Sequence, residues 1–291
     1  MSSTAPTKKQ PFPTPVEISL PPRVTFPTIY DETMTCPNPM LQPFRIANLP
    51  PHFYYLPDFL TPSEEASLLQ KIPSQRWTHL AHRRLQAHPS TLTKNNTLLA
   101  APLPVWLTVP IINRLKEYRI FAETPHGEPN HVLINEYQAG EGIMPHEDGG
   151  AYAPVVATIS LGASICLDIM HKPAHVATPL WQPDQDAMSE SPANEQQQQY
   201  ALPTRIVQEP RSVLVTAGPA YREYLHGIQA RDVDEHLGPE TVANWDLLGD
   251  SALIASHGGR NVRGIRTSLT YRDVLKVSSA ASKVLGGLGR R

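Results

Sequence analysis

The chain has 291 residues, 40% hydrophobic and 18% charged, with a formal net charge of -2, a pI near 6.6 and a mean hydropathy of -0.31. No apolar run approaches the ~18 residues of a membrane span, Met1 to Gln10 lacks the apolar core of a secretory signal, and the near-neutral balance excludes a global basic field for nucleic acid. Its two cysteines, Cys36 and Cys166, make neither a disulfide framework nor a zinc cluster, so we expect a soluble protein of the cytoplasm or nucleus with no membrane partner and a preference for the monomer.

The length suits one large domain with appendages. Eleven of the 31 prolines fall in the first 50 residues, where they interrupt helices and central strands, and a flexible segment over 1–43 is predicted. Thr61-Pro62-Ser63-Glu64 joins an N-cap, a proline at N1 and a glutamate at N3, the signature of a helix from Pro62 to about Lys71. Ala66, Leu68, Leu69 and Ile72 then form its apolar stripe against a sheet. Residues 76–102 are weakly patterned. Val105 to Tyr118 has helical spacing, with Pro110 placed to kink or split it.

From His131 onward the period changes to two. His131–Tyr137, Val155–Leu161, Ser164–Ile169, Thr204–Val207, Ser212–Thr216, Tyr221–His226 and Arg266–Arg272 are short, rich in Val, Ile, Thr and Tyr, and separated by Gly, Pro or Asp. They predict a β-sandwich or barrel led by helices, with a domain over 44–275. Residues 171–203, including four consecutive glutamines, read as a low-complexity excursion, 234–261 as a polar insertion and 276–291 as a tail.

His146 and Asp148 stand two apart, so an extended backbone points both to one face while Glu147 points away. With the distant His226, before Gly227-Ile228, they supply two imidazoles and a carboxylate, the set that leaves positions open on Fe(II). The same residue types serve catalytic zinc, and a histidine such as His226 is also at home hydrogen-bonded in a core. Arg266, Ser268, Thr270 and Arg272 share one strand face and suit an organic dicarboxylate; alone, such a face could equally be a solvated edge.

Asn135-x-Tyr137, His146-x-Asp148, His226-Gly227-Ile228 and Arg266 with Arg272 six positions later, in this order, resemble the AlkB family of Fe(II)/2-oxoglutarate dioxygenases, over about Pro57 to Val274. Glu141–Gly149, Thr158–Gly162, Glu209–Ser212 and Gly218–Tyr221 are similar to one branch of that family. The resemblance implies a mainly β fold with flanking helices, a double-stranded β-helix or jelly-roll whose N-terminal helices pack on the outer sheet. It implies Fe(II) on His146, Asp148 and His226, and 2-oxoglutarate with its C5 carboxylate on Arg266, helped by Tyr137. Asn135, Ser268 and Arg272 would surround the metal-proximal end, Arg272 also near Asp148, and Leu133, Ile143, Ser160 and Thr270 would line the cosubstrate pocket. With O2, the implied outcome is succinate, CO2 and an oxidised C–H bond; where the carbon is bonded to nitrogen, it leaves as an aldehyde.

The implied substrate is an alkylated base of RNA or DNA, single-stranded or flipped, which needs a stacking platform and phosphate-binding cations. Trp77, Arg83, Arg84 and Lys94 before the barrel, and Tyr152 after the metal motif, are the expected contacts, each with an ordinary core or surface alternative. The acidic balance disfavours tight nonspecific duplex binding. A protein or small-molecule substrate, or a poorly active binding module of the same fold, fits the same residues.

Overall fold

The computed structural model describes residues 38–172, 200 and 204–278. In chain order its strands are β1 (Phe53–Leu56), β2 (Thr78–Leu80), β3 (Arg83–His88), β4 (Thr97–Leu99), β5 (His131–Tyr137), β6 (Ile143–His146), β7 (Tyr152–Gly162), β8 (Ile165–His171), β9 (Thr204–Gln208), β10 (Val213–Ala217), β11 (Tyr224–Ile228), β12 (Val233–Asp234), β13 (Asn261–Val262), β14 (Arg266–Val274) and β15 (Lys276–Ser278). The helices are α1 (Pro62–Lys71), α2 (Val105–Thr108), α3 (Ile111–Glu117), α4 (Gly218–Glu223) and α5 (Ser251–Ser256).

A seven-stranded sheet in the order β1-β10-β7-β14-β5-β3-β2 faces a four-stranded sheet in the order β6-β11-β8-β9. Because strand residues alternate between faces, the large sheet has two distinct sides. Its outer side carries Tyr54, Val132, Ile134, Ala157, Ile159, Leu269 and Tyr271, which pack with Leu68 of α1, Leu107 of α2 and Ile111 and Leu115 of α3. Its inner side meets Ile165, Leu167 and Ile169 of the small sheet through Phe53, Tyr55, Tyr137 and Leu214. This is the double-stranded β-helix with its leading helices on the outer face of the large sheet.

The local chemistry explains the elements. Thr61 accepts from the Glu64 amide while the Glu64 carboxylate accepts from the Thr61 amide, the reciprocal cap that starts α1 after the N1 proline. Pro110 divides the 105–118 segment into α2 and α3, since it has no N–H to continue the first helix. In α1 only Leu68 is buried and Leu69 is 39% exposed, because adjacent residues lie 100° apart around a helix.

Three further departures from the sequence reading have physical causes. Residues 218–223 form α4 and not the start of a strand: Pro219 near its N-terminus pre-sets helical φ, and β11 begins only at Tyr224. Leu41, placed by sequence in the leading flexible segment, is 3% exposed in the outer core. The polar insertion 234–261 buries Leu237, Val242 and Ile254 against Cys166 and Val207 on the back of the small sheet, three spaced apolar side chains that average polarity conceals. Beyond Val274, β15 pairs in parallel with β4. The low-complexity stretch lies outside the described residues except at 171–172 and 200.

Candidate metal and cosubstrate site

Between the sheets lies a cavity of about 270 Å³. The small sheet supplies its metal-type donors. In the antiparallel pairing of β6 with β11, His146 faces His226, their ring centroids 4.4 Å apart. Close approach of these strands depends on Gly142, where a Cβ would stand 2.2 Å from the Ile228 carbonyl oxygen. The carbonyl of Met144 lies 3.0 Å from His146 Nδ1; a carbonyl only accepts, so Nδ1 carries the proton and Nε2 keeps its lone pair.

Asp148 lies just past the end of β6 and its side chain is 5% exposed. It forms an ion pair with Arg272 of β14. One ligand atom from each of His146, Asp148 and His226 lies within 4.8 Å of the others. Burial is the largest influence on the Asp148 carboxyl and opposes ionisation, but Arg272 and the nearby imidazoles outweigh it and hold the group below its ordinary value. Burial also brings His226 down to about 4, against the pull of Asp148. The trio thus presents two imidazoles and one carboxylate as candidate donors.

The large sheet supplies the opposite wall. Arg266, Ser268, Thr270 and Arg272 all line the cavity, as their shared face requires, and so do Asn135, Tyr137 and Leu133 of β5 and Ile143 of β6. Arg266 is 3% exposed. Its Nε donates to Ser160 Oγ at 2.9 Å, another guanidinium nitrogen donates to Gln208 Oε1, and the Tyr137 ring centroid lies 5.8 Å from its Cζ. Burial lowers its pKa to about 10, so it keeps its charge at neutral pH. Among the described residues it has no carboxylate partner. A buried guanidinium held only by neutral acceptors is costly unless a carboxylate arrives from outside. This demand, together with a donor set suited to a divalent cation that leaves open positions, fits iron and an organic dicarboxylate.

Of the residues expected to meet substrate, two line the cavity. Tyr152 lies against Arg272, its ring centroid 4.9 Å from Cζ, and Arg83 donates through Nε to Asn135 Oδ1 at 3.2 Å. Arg84 and Trp77 lie on the other side of the large sheet, where Arg84 pairs with Glu136 at 2.7 Å and stacks 4.4 Å from the Trp77 ring. Alternation along β3 requires this, since Arg83 and Arg84 are neighbours on a strand. Lys94 is exposed and does not line the cavity. Gln208 and the aromatic pair Tyr221 and Tyr224 also line it; Tyr221 OH donates to the Gly149 carbonyl at 2.9 Å, bracing the loop that carries Asp148. No charge or motif spacing marks Gln208, and Tyr221 reaches the wall from α4.

The family model described as 2OG-Fe(II) oxygenase superfamily matches residues 101–272. A protein of Danio rerio named Probable RNA/DNA demethylase ALKBH6 is 37% identical over 243 residues, 82% of this chain and 93% of the relative. The tRNA (carboxymethyluridine(34)-5-O)-methyltransferase alkbh8 of Xenopus tropicalis is 26% identical over 234 residues, 78% of this chain but 32% of that larger protein. Among solved structures, that of OsALKBH1 superposes with a TM-score of 0.42 at 15% identity, covering 77% of this chain and 99% of the other.

Proposed function

Since the chain belongs to the 2OG-Fe(II) oxygenase superfamily, and within it to the AlkB-like proteins, we propose that it removes alkyl groups oxidatively from a base of RNA or DNA, with His146, Asp148 and His226 holding Fe(II). When bound, Fe(II), 2-oxoglutarate and O2 supply oxidation of a C–H bond, with succinate and CO2 as coproducts; a methyl on nitrogen then leaves as formaldehyde.

The chain's own residues bind and orient these groups. Arg266 receives the far carboxylate of 2-oxoglutarate, and its planar fork suits two parallel hydrogen bonds. Tyr137, whose hydroxyl burial keeps protonated, donates to the same group. Arg272 holds the Asp148 carboxylate in place as a ligand. Ser268, Thr270, Leu133 and Ile143 wall the cosubstrate, and Ser160 and Gln208 orient Arg266.

The observation that carries this reading is Arg266, a buried cation with no carboxylate partner among the described residues, in the same cavity as a His-Asp-His cluster. Support for a base as substrate comes from Tyr152, Tyr221 and Tyr224 on the cavity wall, which suit a planar ring turned out of its stack, and from the nucleic-acid activity in the names of the Danio and Xenopus relatives. Fe(II)-loaded protein incubated with 2-oxoglutarate under air and a panel of methylated RNA, DNA and peptides should release succinate and formaldehyde with a nucleic acid, and both should fall to background in His146→Ala and Asp148→Ala. Formaldehyde from peptides alone would overturn the substrate assignment.

A further inference from the structure

Three arginines line the cavity, and only one of them is unaccounted for by metal and cosubstrate. Arg272 is committed to Asp148 and Arg266 stands buried with neutral partners. Arg83, on β3 next to β5, has one described hydrogen bond, from Nε to Asn135 Oδ1. Its neighbour Arg84 reaches the other side of the sheet, so the tip of the β2–β3 hairpin sends one cation inward and one outward.

An arginine Nε–H can only donate, so the atom it meets on Asn135 must be the amide oxygen. This fixes the flip of the amide: the NH2 group is turned the other way. Asn135 is 8% exposed and lines the cavity, and among the described residues its Nδ2 donates to no protein acceptor. Turned toward the cavity, this donor is free to meet an acceptor that enters it. We propose that Arg83 is a positioning residue that locks the Asn135 amide with its N–H donors toward the cavity, presenting them to the oxygen atoms of bound 2-oxoglutarate. Without Arg83 the amide is free to flip and offer Oδ1, an acceptor facing an anion.

The inference rests on the 2-oxoglutarate reading above, and its test separates the two. Titration calorimetry of 2-oxoglutarate into Mn(II)-loaded protein reads binding without turnover. In Arg83→Leu the dissociation constant should rise about tenfold, the weight of one net hydrogen bond, with the KM for 2-oxoglutarate rising in parallel and kcat for the saturated enzyme little changed. Arg83→Gln, which can still donate to Oδ1, should restore most of the affinity, and Arg84→Leu, on the far side of the sheet, should leave it unchanged. In an Asn135→Ala background, Arg83→Leu should add nothing, because the residue acts through the missing amide. Additive losses would mean that Arg83 touches the cosubstrate itself and would overturn the proposal, as would unchanged binding in Arg83→Leu or loss of affinity in Arg84→Leu as large as in Arg83→Leu. Failure of the wild-type protein to bind 2-oxoglutarate at all would instead bring down the function on which the proposal stands.

Discussion

Removing Arg272 should destabilise the metal-free protein more than most single substitutions. The Arg272 and Asp148 side chains are 7% and 5% exposed, and Arg272 Nε is buried without a hydrogen-bond partner. The pair therefore yields less than its full set of hydrogen bonds, but each charge neutralises the other in a dry site. Burial is already the largest influence on Asp148, and Arg272 is the foremost influence opposing it. In Arg272→Met the carboxylate remains buried and loses its guanidinium, a situation that costs about 3–5 kcal/mol. For a domain of this size each kcal/mol lowers Tm by about 2–4 °C, so thermal melting followed by circular dichroism in the presence of a chelator should show a drop of about 6–20 °C. The double variant Asp148→Asn/Arg272→Met has no charge to desolvate and should regain most of that loss. A cost below about 1 kcal/mol for Arg272→Met, or a double variant no more stable than it, would refute the reasoning.

Two other perturbations probe the scaffold. Glu64 pairs with Arg114 through both carboxylate oxygens at 2.8 Å, and this pairing, against the effect of burial, lowers its pKa to about 2; with the folded value depressed, its contribution is complete above the ordinary glutamate range and disappears as pH falls from about 4.5 toward 2. Urea melts should therefore place Glu64→Gln about 1 kcal/mol below wild type at neutral pH, the gap closing in acid, and a constant gap would contradict the assignment. Gly142→Ala puts a Cβ 2.2 Å from the Ile228 carbonyl oxygen and 2.9 Å from the Ala230 nitrogen, so β6 must move away from β11 at an overpacking cost of about 1–3 kcal/mol. Mn(II) affinity should fall together with Tm, whereas Gly150→Ala, with nothing within 4 Å of the added carbon, should change neither.

What could be read in advance was whatever is specified by neighbours in the chain. The cap of α1 needs only residues 61–64, and the period-two pattern of His131–Tyr137 matches β5 to the residue. The shared face of Arg266, Ser268, Thr270 and Arg272 follows from strand geometry alone, and all four reach the cavity. Where partners come from afar, the signal is absent. β3 reads Arg-Arg-Leu-Gln-Ala-His, yet Gln86 and His88 are buried, because the Pro73 carbonyl accepts from Gln86 Nε2 and Arg76 reaches His88. Gln208 gains its place beside Arg266 only through the pairing of β8 with β9 and the closure of one sheet over the other. Trp77 and Arg84 looked like substrate contacts because their composition suits a base and a phosphate; Glu136, opposite Arg84 on β5, takes the arginine to the other side.

The two arginines of β14 show how far residue type falls short of role. Six positions at ~3.3 Å each separate their backbones by roughly 20 Å along the strand, so both face the cavity but at opposite ends. Residue type and strand geometry treat them as equivalent donors to a dicarboxylate, and only the family resemblance tells them apart. Their partners make them different: Arg272 meets Asp148 and has spent its charge inside the protein, while Arg266 meets an amide oxygen and a hydroxyl and retains a full positive charge to offer. The unneutralised guanidinium marks the end where an external carboxylate is needed, and the neutralised one marks the end where a metal ligand must be held still. Substituting Arg266 should therefore weaken 2-oxoglutarate binding while sparing the metal-free fold, and substituting Arg272 should do the reverse first, because the charge left behind in that case belongs to the protein.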